Sequence, residues 1–166
     1  MIREVMVTTL RNERLCAEME NDIVVFAIGM RINRFWKVCK WFPVFLEMPA
    51  MLREQEADPS IGLLSTRFMS GLRNIGVLQH WHSTEALHAY AHGAGRLHTA
   101  AWQRFNARIG TSGDVGIWHE TYAVQAKSME SVFVNMPAYG LGVAGMLFPA
   151  KGDRASARKR LGRGAG

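Results

Sequence analysis

Three groups of residues carry side chains that could do chemistry. The stretch GIWHETY, residues 116–122, sets His119 and Glu120 between Trp118 and Tyr122. The triplet HWH puts His80 and His82 two positions apart. His98 stands in RLHTAAWQRFNARIG, followed at helical spacing by Trp102, Phe105 and Ile109. An imidazole can accept a proton near neutrality, bind a metal or serve as an axial haem ligand, so each group needs its neighbours to decide among these.

Alternation along a strand decides the first. Ile117, His119 and Thr121 share one face and Trp118, Glu120 and Tyr122 the other, so His119 and Glu120 point apart and form no direct dyad. Each needs a partner from another element, and Arg31 and Asn33 are suppliers on the preceding apolar strand. His80 and His82 share a face and could chelate a transition metal with His119 as third ligand. No second HxH or HxxE pattern accompanies them, and no metal site is expected. His98 lies on the apolar stripe of its helix and should face the sheet, where a lone imidazole in a cleft can act as a base or bind haem. GLGVAG follows a Met-Pro turn and opens no helix, so it is not a phosphate loop, and no serine nucleophile elbow occurs.

The elements that would position these groups can be read in order. DIVVFAIGMRI, from Asp22, is an apolar, β-rich run suited to a strand buried on both faces. LCAEMEND before it reads as an edge strand that could pair with it as a hairpin. From Phe35 to Ser60 apolar positions recur at helical spacing, with Pro43 in the first turn, Pro49 as a kink and Asp58-Pro59 as the stop. IGLLSTRFMSG and NIGVLQHWHS are two strands, and Ser83 caps a helix that breaks at Gly93 and Gly95, resumes, and ends at Gly110. DVGIWHETYAV and MESVFVNM are the remaining strands. Without the first edge strand the order is βαββαβ, an α+β, ferredoxin-like antiparallel sheet with two helices on one face. Its strands are apolar on both faces, with Val24, Phe26, Ile28 and Met30 on one and Ile23, Val25 and Ala27 on the other. A second sheet, supplied by a homodimer, is the expected cover.

Bulk properties set the limits. The 166 residues are 48% hydrophobic and 20% charged, ordinary for one globular domain. Residues 1–14 read as an extension, 15–148 as the domain and 149–166 as a basic tail without fixed structure. From Lys151 on there are six Lys or Arg and one Asp, so five of the six net positive charges sit in that tail and the body, near +1, is not expected to form a basic face for nucleic acid. Two cysteines, Cys16 and Cys39, suit a reducing cytoplasm and no disulfide framework. The N-terminal run is interrupted by charge, so no signal peptide is expected. Residues 131–150 carry no charge, but Pro137, Gly140, Gly142 and Gly145 favour a strand and buried loop over a membrane helix.

The motifs VVFAIGMRINRFWKVCKW, GIWHETY and NMPAYGLG, from about Asp22 to Leu141, resemble a monooxygenase-like family of largely unknown function. It is related to the antibiotic-biosynthesis monooxygenases in the dimeric α/β-barrel superfamily. The resemblance implies a ferredoxin-like fold assembled as a homodimeric barrel. It also implies cofactor-independent oxidation of an aromatic or polyketide-like small molecule by O2. The alternatives are a haem enzyme of the dehydratase kind, with His98 as axial ligand, and a non-catalytic small-molecule-binding protein. For the oxygenase, the base is His98 or His119, the anion stabilisers are Arg31 and Asn33, and the substrate walls are Trp102, Trp118, Phe105 and Tyr122. Where the family is expected to run Tyr-Trp-Arg-Ser, this chain reads HWHS, residues 80–83.

Overall fold

A computed structural model describes residues 9–93 and 96–161. The central sheet has four antiparallel strands in the order β3-β4-β2-β5: β2 Ile23–Ile32, β3 Leu63–Ser70, β4 Asn74–Trp81 and β5 Val115–Val124. The connections are helical. α1, Val38–Ala57, joins β2 to β3, and α2 (Thr84–His92) and α3 (Leu97–Arg108) join β4 to β5. This is the split βαβ arrangement of a ferredoxin-like fold, in which each helix returns the chain parallel to its start with a strand left between.

The register fixes the faces. Ile28 lies opposite Val77 of β4 and His119 of β5, and Phe26 opposite Gln79 and Thr121. These even positions of β2 face the helices, and two clusters fill the layer: Val24, Trp81, Leu87 and Tyr90 at one end, and Met30, Ile32, Ile109 and Val115 at the other. α1 is 20 residues long with Pro43 and Pro49 both inside it. Each proline lacks an N–H, which leaves the carbonyls of Cys39 and Phe45 without their usual helical donors. α2 begins at Ser83, whose hydroxyl accepts from the Ala86 N–H at 3.1 Å. α3 ends beside Gly110, which adopts φ 48° as a left-handed cap. The break between α2 and α3 falls at Gly93; Gly95 lies outside the described residues.

The first strand corrects the expected hairpin. β1, Arg11–Glu18, pairs with β6 (Phe133–Met136) and β7 (Met146–Pro149) in a separate three-stranded sheet, not with β2. Leu15, Ala17 and Phe133 form its core with Leu141 and Leu147. The short helix α4, Leu141–Ala144, and residues before it then pack on the back of the central sheet, where Met19, Ile23 and Ala126 meet Val25, Leu64, Met129, Leu141 and Ala144. Part of the face assigned to a partner sheet is therefore covered by the chain itself.

The basic tail is also folded as far as it is described. Arg154 makes two bonds to Glu18, at 2.7 and 3.0 Å, and lies over the Phe148 ring. Arg160, in α5 (Ala157–Arg160), is 5% exposed, donating to Glu130 at 2.9 Å and to the Arg154 carbonyl. Composition alone predicts no structure here because the partners lie far away in sequence. No helix among the described residues is long and apolar enough to cross a membrane.

One contact tests the sheet directly. A Cβ on Gly29 would come within 2.7 Å of the Ile75 carbonyl oxygen and 2.9 Å of the Trp118 ring. Backbone on one side and a large ring on the other leave no soft route of relief. Gly29→Ala should lower stability by about 1–3 kcal/mol, as overpacking does; urea unfolding of the two proteins measures it, and equal midpoints would show that Trp118 is not held against this strand.

Candidate functional site

Between the helices and the sheet lies a cavity of about 410 Å³, walled by α1, α2, α3 and strands β2, β4 and β5. Four of the chain's six histidines line it: His88, His92, His98 and His119. Among the described residues the lining contains no Asp, Glu, Lys or Arg. A second space of about 180 Å³ adjoins it under Pro43, Val44, Phe45 and Phe105. The two share Ile28, Met48, Met51, His98, Trp102 and Ile117, so His98 stands at their junction.

The state of His98 follows from one bond. Its Nδ1 lies 3.1 Å from the Ala91 carbonyl oxygen. A carbonyl can only accept, so Nδ1 carries the hydrogen and, in the neutral ring, Nε2 is the acceptor. The backbone that makes this bond is held from α1. Glu54 accepts the Tyr90 hydroxyl at 2.8 Å and the Leu97 N–H at 3.3 Å, so one carboxylate fastens the end of α2 to the start of α3, next to His98. Arg96 pairs with Asp58 at 3.1 Å and its guanidinium lies over the Tyr90 ring. Burial, then the bond to Glu54, raises the Tyr90 pKa, so its hydroxyl stays a donor.

The deep wall of the cavity is polar. Gln79, 2% exposed, donates to Gln55 at 2.7 Å and accepts from Trp81 Nε1 at 3.1 Å. Gln79 sits between Val77 and Trp81 on the covered face of β4, and a glutamine in that row is the signal that could have identified it. Glu54, Gln55 and Tyr90 carried no comparable pattern.

The predicted residues divide into two groups. His98, His119, Trp102 and Phe105 come together: His119 and Trp102 line the larger cavity, Trp102 and Phe105 the smaller, and these two rings stack at 5.7 Å. His119 is exposed on the open side and lies against Phe26, ring centroids 5.8 Å apart. Arg31, Asn33, Trp118 and Tyr122 are elsewhere. Trp118 and Tyr122 face the back of the sheet, where Tyr122 donates to Glu120 at 2.6 Å. Arg31 is exposed and donates to Asn74, and the Asn33 amide donates to the Gly113 carbonyl at the end of the sheet. None of these four lines either cavity. Strand parity and strand length separate them from His98.

The HWH pair is resolved by the same parity. His80 lies opposite Val25, which in turn is opposite Tyr122, so it faces the back of the sheet and cannot meet His119. Its Nδ1 is 2.8 Å from the Ser65 hydroxyl, which donates to the Gly140 carbonyl at 3.0 Å. No group of three or more metal-binding side chains occurs among the described residues.

With this geometry in view, the fold is that of a ferredoxin-like α/β protein, and comparison places the chain more closely. Residues 23–141 match the Monooxygenase af470-like family, and the chain belongs to it. Among solved structures it is similar to an aldoxime dehydratase in complex with butyraldoxime, with a TM-score of 0.65 at 14% identity over 80% of this chain. The match spans 39% of that enzyme, so the likeness is one of fold. A conserved protein from Methanosarcina mazei Go1 aligns with 62% of this chain and 94% of its own at 8% identity and TM-score 0.45. A conserved protein from Bacteroides thetaiotaomicron aligns with 62% of this chain and 98% of its own at 11% identity and TM-score 0.42. No curated protein matched the chain.

Burial, followed by the nearby Arg67 charge, lowers the His80 pKa from 6.5 to about 4. Between these values the unfolded chain binds a proton that the folded one does not, so stability falls as pH drops from 6.5 towards 4. Replacing His80 by Gln removes the titration, and the acid side of the stability–pH curve should flatten over that window in urea melts. An unchanged curve would assign the acid loss to other groups.

Proposed function

We propose that this protein is a cofactor-independent monooxygenase that oxidises an aromatic or polyketide-like small molecule with O2. The observation that carries the reading is His98, its Nδ1 fixed on the Ala91 carbonyl and its Nε2 left to accept a proton at the junction of two apolar spaces. Membership of the monooxygenase-like family supports an oxidative reaction. A substrate with an acidic C–H or phenolic O–H gives its proton to Nε2, and the electron-rich anion reduces O2 directly. For a CH2 flanked by aromatic rings, one oxygen atom enters as a carbonyl and the other leaves as water with the two hydrogens, so atoms and electrons balance. His119, facing the same cavity from β5, replaces Arg31 and Asn33 as the group beside the developing anion. Trp102 and Phe105 are the aromatic walls.

A second reading rests on the same bond. An imidazole whose Nδ1 donates to a backbone carbonyl could also hold haem, and His98 Nε2 would be the atom that binds it. Among the described residues the larger cavity has no Lys or Arg in its lining to meet the propionates, which would have to reach its open side. Haem would supply redox chemistry at iron, and the chain would supply the ligand and the apolar walls.

The two readings separate on one variant. With an anthrone-like substrate, His98→Ala should lower kcat/KM by about two to four decades, with added imidazole restoring part of it. Haemin titration should give no Soret band with either protein. Full activity in His98→Ala would overturn the base assignment. A Soret band in the wild type that is lost in the variant would select haem.

Self-association belongs to the same proposal. Trp118 and Tyr122 remain on the part of the back face that α4 and its approach leave open, and a C2 sheet-on-sheet dimer would cover them. Sedimentation equilibrium at micromolar concentration should give twice 18.6 kDa. A well-folded species at 18.6 kDa would contradict it.

A further inference from the structure

The end of the sheet where β2 finishes and β5 begins has a charge unlike the rest of the domain. Segments 31–40, 71–74 and 108–114 meet there. Arg34 and Lys37 share Asp114 at 2.7 and 3.0 Å, Arg31 reaches Asn74, Lys40 donates to the Arg108 carbonyl, and Arg73 donates to the carbonyls of Ile32 and Asn33. These segments hold six cations (Arg31, Arg34, Lys37, Lys40, Arg73 and Arg108) and one carboxylate, Asp114, a surplus of five positive charges. The overall composition conceals this, because acidic residues elsewhere in the domain offset it.

The same end exposes large apolar side chains. Trp36 is 75% exposed and Leu72 86%. Val38, Phe42 and Leu46, each about half exposed, continue from Trp36 along α1 at four-residue spacing. Arg73 stacks on the Phe35 ring at 4.8 Å, which brings the loop bearing Leu72 beside the segment bearing Trp36. Apolar groups this exposed, on segments that also carry the cations, mark a binding surface.

We propose that this end of the molecule docks on anionic lipid bilayers. A nucleic acid would satisfy the cations but leave Trp36 and Leu72 in water. An apolar protein partner would gain nothing from the surplus of charge. A bilayer surface takes both: tryptophan and leucine enter the boundary between headgroups and acyl chains, and arginine and lysine meet the lipid phosphates. The attachment is peripheral, and it is independent of the reading given to the cavity.

Co-sedimentation of the full chain with vesicles tests it, using phosphatidylcholine alone and phosphatidylcholine mixed with phosphatidylserine. Binding is expected to the mixed vesicles and to weaken as salt rises. The double variant Trp36→Ser/Leu72→Ser, with its circular dichroism unchanged, should bind about tenfold or more weakly, since two apolar side chains no longer leave water. Lys151→Gln/Arg158→Gln, which removes charge from the tail, should keep most of the affinity. Absence of vesicle binding overturns the proposal, as does binding that the Trp36/Leu72 variant retains. Capture of a polynucleotide with equal strength by wild type and double variant, without vesicle binding, would assign the surface to polyanions instead.

Discussion

The site depends on the carboxylate of Glu54. From α1 it accepts the Tyr90 hydroxyl in α2 and the first amide of α3, and so joins three helices at one point. Without such an acceptor the N-terminus of α3 would need another partner for its free N–H groups, and the turn after α2 would lose its anchor. With it, His98 enters α3 one residue later, within reach of the Ala91 carbonyl. The tautomer of the neutral imidazole is thus a consequence of where two helices end. Tyr90 carries the constraint inward, packing on Trp81, whose indole N–H is held by Gln79.

What the cavity lacks matters as much. Among the described residues, no carboxylate, lysine or arginine lines its larger part. Of the charged groups that organise the helices, Glu54 and Asp58 lie outside it at one end, and Glu47 and Arg104 pair with each other in the wall of the adjoining space. The histidines are left as the polar groups best placed to meet a ligand that loses a proton. Two prolines in α1 and the stacked Trp102–Phe105 pair keep the adjoining space apolar.

Much of this was legible in the sequence, and the failures have physical causes. The βαββαβ order, the Ser83 cap and the break at Gly93 follow from local chemistry, and the helical stripe correctly turned His98 towards the sheet. Alternation placed Trp118 and His119 on opposite faces of β5; assigning Trp118 as a wall of the site in which His119 is a candidate base ignored that separation. Local pattern could not say that β1 would pair with β6 and β7, because a strand's partner is set by the assembled core. The tail read as unstructured because its order comes from Arg154–Glu18 and Arg160–Glu130, ion pairs between residues distant in sequence. Glu54 escaped notice for the same reason. On an exposed-looking helix turn it resembles any surface glutamate, and its role appears only when α2 and α3 are brought to it.

The claim on which the account rests is the tautomer of His98, and nitrogen-15 NMR of the histidine side chains measures it directly. At a pH where the ring is neutral, His98 should appear with the hydrogen on Nδ1 and an unprotonated Nε2, and the Nε2 resonance should move when an acidic aromatic ligand is added. A His98 ring protonated at Nε2 would contradict the bond to Ala91, and with it the assignment of this residue as the proton acceptor.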